Sequence, residues 1–290
     1  MAAAESLIIQ TTALCSFLLL VAWFSLWHLT GLVQTERQRA YVLTLLSSAI
    51  MTLSSVPLVW EILTTPNGFQ QLLPTTDGND YWWTIAATTF FMTFLVTDLA
   101  VGSIFYRSKI QVLTGWIHHI AYVGLLIWVI RNHYTPVFVA MCLLEAPTFM
   151  LALGSVFKSL RRDYVFAALF VPTRIVFHGY MIADVSFRKP FYWGICIALC
   201  ITFALHCYWF YGFILQQKRL STQKQAVAAA ATDQEQQMNH HRNVSTLKTS
   251  AYPPSPSSDY YSHRSPRCGY STFSPQIPEN EKAKLMVEAI

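Results

Sequence analysis

Seven stretches of the chain stay apolar for long enough to cross a bilayer as helices, near residues 7–33, 41–63, 82–105, 112–130, 136–157, 164–183 and 190–215. At ~1.5 Å of rise per residue, runs of this length match ~30 Å of hydrocarbon. The pattern therefore predicts an all-α, polytopic transmembrane bundle of about seven spans. The second span is the most interrupted, by Pro57 and several Ser and Thr. Such residues are tolerated where neighbouring helices satisfy the backbone that they free. After Leu220 the sequence turns to Gln, Ser, Pro, Tyr and charge. Too few aliphatics remain there to offset the entropy of ordering a chain, so disorder is expected from that point. The resulting division is an N-terminal helix and loop over 1–36, a membrane domain over 37–220 and a disordered tail over 221–290.

Composition agrees with that pattern. The chain is 53% hydrophobic and 12% charged, against about 25% charged in soluble domains. The net charge of +5 does not point to nucleic acid, because nine of the twenty Lys and Arg fall in the last 75 residues and the rest are scattered between apolar runs. The opening MAAAESLIIQ lacks a basic leader, so a retained helix is expected rather than a cleaved signal. Cys15, Cys142, Cys196, Cys200 and Cys207 lie within apolar runs and read as packing residues, with no metal-ligand spacing and no disulfide framework.

Charge gives the bundle a direction. With the N-terminus lumenal, Arg37, Arg39, Arg107, Lys109, Lys158, Arg161, Arg162, Lys218, Arg219 and Lys224 fall on the cytosolic side, against Arg131, Arg188 and Lys189 opposite. The positive-inside rule favours this orientation and a cytosolic C-terminus. In the tail, Ser255, Ser265 and Ser274 each precede Pro and are candidate phosphorylation sites, and the tail is where cytosolic partners would bind. The sequon Asn243-Val244-Ser245 would go unused in the cytosol, so a glycan there would reverse the orientation.

Ionisable residues inside spans are costly and usually face a bundle interior. Here they are Asp98, His118, His119, Glu145, Arg174, His178 and His206. Counted from the cytosolic helix ends at ~1.5 Å per residue, Asp98 and the histidine pair lie at ~10 Å, His206 at ~14 Å, and Glu145 and Arg174 at ~16–18 Å. Five helices thus bring polar groups to one slab in the cytosolic half. Asp98 can orient a histidine, and Arg174 can hold Glu145 or a headgroup phosphate. Because neighbouring residues sit about 100° apart on a helix, His118 and His119 should face different partners. There is no Gly-x-Ser-x-Gly elbow for a hydrolytic serine and no His-x-x-x-His for a metal.

The stretches RQRAYVLTLLSSAIMTL (37–53), TDLAVGSIFY (97–106), GWIHHIAYVGL (115–125), LLEAPTFMLAL (143–153), VPTRIVFHGY (171–180) and HCYWFYGFILQQKR (206–219) together resemble the TLC domain. That family comprises the TRAM translocon-associated proteins, the Lag1 ceramide synthases and the neuronal ceroid lipofuscinosis membrane protein. In the ceramide synthases a paired histidine is catalytic and joins a fatty acyl-CoA to a sphingoid base, and His118 and His119 match that pair. Two acidic positions of that motif are missing, where this chain has Met141-Cys142-Leu143-Leu144-Glu145. The resemblance is nearer to the smaller TLC-domain-containing proteins of the endoplasmic reticulum.

The resemblance implies a multispanning protein of lipid homeostasis that binds or modifies acyl lipids in a cavity toward the cytosolic leaflet. In that reading Asp98, Glu145, Arg174, His178 and His206 line the cavity, membrane lipids are the partners, and no cofactor is bound. A ceramide synthase-like N-acyltransferase is the alternative, with acyl-CoA as co-substrate and His118 and His119 catalytic. A non-enzymatic cargo receptor or translocon-associated protein of the endoplasmic reticulum is the third.

Overall fold

The computed structural model describes residues 2–66, 68–74, 81–187 and 192–249. Among the described residues all regular structure is helical, and six helices are long and apolar enough to cross a membrane, with a shorter apolar one beside them. The long ones are α1 (Ala2–Leu29), α2 (Glu36–Thr64), α3 (Trp82–Phe105), α5 (Thr135–Val156), α6 (Asp163–Phe187) and α7 (Trp193–Thr249). The short one is α4, residues 112–131. The seven expected spans correspond to these seven helices in order, and the chain is an integral membrane protein.

Local chemistry sets the helix ends. Thr35 caps α2 with a reciprocal capping box, its side chain accepting from Gln38 N while the Gln38 side chain accepts from the Thr35 backbone. Pro57 does not break α2, which continues to Thr64. Two of the hydroxyls that interrupt this span are turned back onto its own backbone: Ser48 donates to Thr44 O at 2.6 Å and Ser55 to Thr52 O at 2.7 Å.

Two prolines have larger effects. Pro147 has no N–H and crowds the carbonyl four residues before it, and the turn preceding it, Cys142–Glu145, tightens to 3-10 geometry within α5. In α6, Pro172 sits at the start of a π-helical turn, Val171–Phe177. A second π turn, Val112–Ile117, opens α4, where Trp116 N reaches back five residues to Gln111 O at 3.3 Å.

The chain divides into two compact units, Met1–Phe203 and Ala204–Ile290. In the first, α2 packs against α1, α3 and both halves of α5, while α1 also lies along α3 and α4 against α3. Leu43, Met51, Leu95, Leu126, Val139 and Met181 are buried within it. Polar links join the helices: Trp23 Nε1 donates to Val42 O at 3.1 Å, and the hydroxyls of Thr84 and Thr135 lie 2.8 Å apart. Leu53, Trp60, Ile104 and Val176 are exposed. Such an apolar exterior suits lipid and would be a liability in water.

The described part of the second unit is the remainder of α7, where His206 meets Trp209 with ring centroids 5.7 Å apart. Beyond residue 220, where composition led to an expectation of disorder, α7 runs on as helix to Thr249. Residues 223–238, QKQAVAAAATDQEQQM, are rich in Ala, Gln, Lys and Glu. These residues lose little entropy in a helix, so backbone propensity carries the helix forward without a buried face. The rest of the expected disordered tail, Ser255, Ser265 and Ser274 within it, and Arg188 and Lys189 lie outside the described residues.

Candidate functional site

The polar groups of the spans separate into two clusters that meet at the histidine pair. In the first, Asp98 on α3 uses its two oxygens for different partners. Oδ1 accepts from the Tyr106 hydroxyl at 2.7 Å, and Oδ2 lies 3.2 Å from His119 Nε2 on α4. The other ring nitrogen of His119, Nδ1, lies 2.8 Å from Gly115 O. A carbonyl only accepts, so Nδ1 carries a proton, and a second proton lies between Nε2 and the carboxylate. Asp98 and His119 are thus neutral as a unit whichever of them holds that second proton, which lowers the cost of placing them at membrane depth. Their side chains keep only 13% and 14% exposure.

Tyr106 was not among the residues singled out from the sequence. It follows α3 directly and is almost fully buried, its ring near Phe24 of α1. Burial, then the adjacent Asp98, push its phenol well above the usual range, so it stays a donor. Gly102 makes room for it: a Cβ there would lie 2.6 Å from the Tyr106 ring and would also meet Ile110. The i, i+4 spacing puts Gly102 on the Asp98 face of α3, but Tyr106 stands past the helix end, so periodicity carried no signal for it.

The second cluster spans α4, α5 and α6. His118, half-buried, turns from His119 by an edge-on contact of 5.7 Å and 81° and packs over Tyr122 at 5.3 Å. It is within electrostatic range of Arg174, as are Tyr122 and Glu145. Arg174 is buried. Its Nε donates to Leu144 O at 2.8 Å, its Nη2 donates to Thr148 Oγ1 at 2.6 Å, and its guanidinium lies 5.2 Å over Phe170. The acceptor carbonyl belongs to the turn tightened ahead of Pro147, and Arg174 itself sits in the π turn that Pro172 opens. Both prolines therefore shape the arginine's surroundings. Glu145, half-buried, is the neighbour of the residue whose carbonyl Arg174 holds.

His178 lies one turn after Arg174 and is fully buried, hydrogen-bonded to Leu199 and edge-on to Phe203 at 5.3 Å. It reaches toward α7. His206 belongs to the second unit. The groups brought together in the first unit are therefore Asp98, Tyr106 and His119 on one side, and His118, Tyr122, Glu145, Thr148 and Arg174 on the other. Among the described residues no group of three or more His, Cys, Asp or Glu could hold a metal ion. Both π turns lie at this site, one entering the histidine pair and one carrying Arg174, and such turns recur at functional positions because they re-aim side chains.

The family model for the TLC domain matches residues 9–215. The chain belongs to the TLC-domain family. No curated protein and no solved structure matches it. The matched stretch of the TLC domain covers every helix that contributes to the two clusters, and it ends within α7.

Proposed function

We propose that this TLC-domain protein handles lipid, holding an acyl lipid with its polar end against His118, Glu145 and Arg174. The observation that carries the reading is the meeting of ionisable side chains from α4, α5 and α6 beside a histidine that α3 fixes through Asp98. Here His118 and Glu145 are only half-buried, which leaves them surface for a ligand. The charge distribution supports an orientation with this end toward the cytosolic leaflet, and the family supports a role in lipid homeostasis in the endoplasmic reticulum. The experiment is mass spectrometry of lipids that co-purify with wild type and with His118→Ala/His119→Ala and Arg174→Ala. Loss of a defined acyl lipid from both variants is expected. An unchanged lipid complement in both removes the basis of the reading.

A second reading, N-acyl transfer from acyl-CoA, draws on the asymmetry of the pair. His119 is held at both nitrogens, which would leave His118 as general base or acyl acceptor toward a long-chain amine. Folded, purified protein that turns over no acyl-CoA with sphingoid bases rules it out. A receptor role acting through α7 beyond the membrane would instead be lost on deleting residues 225–290 and indifferent to both histidines.

A further inference from the structure

A separate feature lies where α2 begins and α5 ends. The two helices are tied by polar bonds at this point: Gln38 Nε2 donates to Val156 O at 3.0 Å, and the Tyr41 and Ser155 hydroxyls are hydrogen-bonded. The chain then turns back across the seam. Gly154 permits this, since a Cβ there would stand 3.0 Å from Arg161 Cα and 3.2 Å from its Cβ. Arg161 is thereby laid onto the last turn of α5, with its Nε 2.9 Å from Asp163 Oδ1. Arg37 lies one turn before Tyr41 on the same face of α2, so it reaches the seam from the other side. Both guanidinium groups are within electrostatic range of the Tyr41 hydroxyl, and both arginines are half-buried.

The adjoining turns also carry the basic residues Arg39, Lys158 and Arg162 and the carboxylates Glu36 and Asp163. Glu36 accepts a hydrogen bond from Ser108, and Asp163 is engaged by Arg161. A general bias of basic residues toward one side of a membrane accounts for the sign of this charge. It does not account for two arginines from connections more than a hundred residues apart being folded onto one hydroxyl-lined seam. The seam also lies where three membrane helices start or stop, at Glu36, Val156 and Asp163. That is the level of lipid headgroups. The first turn of a helix further favours an anion there.

We infer that the seam between the start of α2 and the end of α5, flanked by Arg37 and Arg161, is a binding site for a phosphate group, supplied by an anionic phospholipid headgroup of the adjoining leaflet. Planar guanidinium groups suit phosphate because each can donate two parallel hydrogen bonds. The Tyr41 and Ser155 hydroxyl pair, with one proton held between the two oxygens, offers one further donor. The site is independent of the His118 and Arg174 cluster.

The test is retention of phosphatidic acid, with phosphatidylcholine as reference, by the full-length protein in nanodiscs, read by native mass spectrometry. Variants are Arg37→Gln, Arg161→Gln, the double variant and Arg131→Gln at the opposite end of the bundle. With each basic group near a membrane surface contributing a roughly fivefold preference, single variants should lose roughly fivefold of the selectivity and the double roughly twenty-five-fold. Arg131→Gln should change nothing. Arg37→Lys/Arg161→Lys, which keeps the charge and loses the paired geometry, should fall between wild type and the double Gln variant. Equal retention by wild type and the double Gln variant, with matching thermal unfolding, overturns the proposal, as does an equal loss in Arg131→Gln. Inorganic pyrophosphate is the competitor that separates sources. Displacement of the lipid only at high excess supports the headgroup, whereas protection by pyrophosphate with no lipid preference overturns the lipid assignment and leaves a soluble phosphate.

Discussion

Replacing His119 by alanine isolates what the Asp98 contact contributes. The Nε2 to Oδ2 separation is 3.2 Å. Two unit charges at that distance attract by about 5 kcal/mol at an effective dielectric of about 20, from which desolvation takes back several. What remains is a net of about 2–3 kcal/mol if the pair is charged. Ordinary hydrogen bonds between membrane helices average about 0.6 kcal/mol and reach about 1.7. The two cases are therefore separable. His119→Ala leaves Asp98 with Tyr106 as its side-chain partner and should destabilise by about 3 kcal/mol, the usual outcome when one member of a buried pair is removed. Asp98→Asn should cost less, about 1–2 kcal/mol, because an amide still accepts from Tyr106. The double variant should cost about 2 kcal/mol less than the two added together. The assay is reversible unfolding in mixed detergent, run as a double-mutant cycle. A coupling of about 0.6 kcal/mol or below would reduce the contact to an ordinary hydrogen bond between neutral groups and refute the charged form of the pair.

Two further outcomes follow from the same site. Gly102→Ala should destabilise by about 1–3 kcal/mol, as overpacking does, and should weaken the Tyr106 to Asp98 bond, visible as a change in Tyr106 fluorescence or ultraviolet absorption against a Tyr106→Phe control. Thr148→Val removes the acceptor 2.6 Å from Arg174 Nη2 while keeping the side-chain shape. It should lower stability by about 1–2 kcal/mol in the same unfolding assay, and a neutral result would mean that Arg174 is held in place without the Thr148 hydroxyl.

The membrane helices were legible in the sequence because hydrocarbon leaves the chain little choice, and long apolar runs have to be helices. The separate partners of His118 and His119 were legible too, since adjacency on a helix forces them apart. Tyr106 was not, because it stands beyond the end of α3 and reaches Asp98 only by folding back over Gly102. Nor was the full surrounding of Arg174: the sequence offers Glu145, which lies within its electrostatic range, and the structure adds a backbone carbonyl and Thr148, exposed to it by distortions at Pro147 and Pro172. Composition alone also leaves the helix beyond residue 220 unread. It weighs the absence of a core and overlooks that alanine and glutamine sustain a helix without one.

The π turn ahead of the histidines bears on how this site could change. Each such turn holds one residue more than ordinary helical pitch requires, and one residue is about 100° of rotation. Conversion of 112–117 to regular pitch with every residue kept would advance the rest of α4 by one position, carrying His118 toward the place that His119 occupies beside Asp98. Loss of one residue there would instead restore regular pitch and leave both histidines where they are. The identity of the tethered histidine is therefore set by the pitch of a six-residue segment rather than by the histidines themselves.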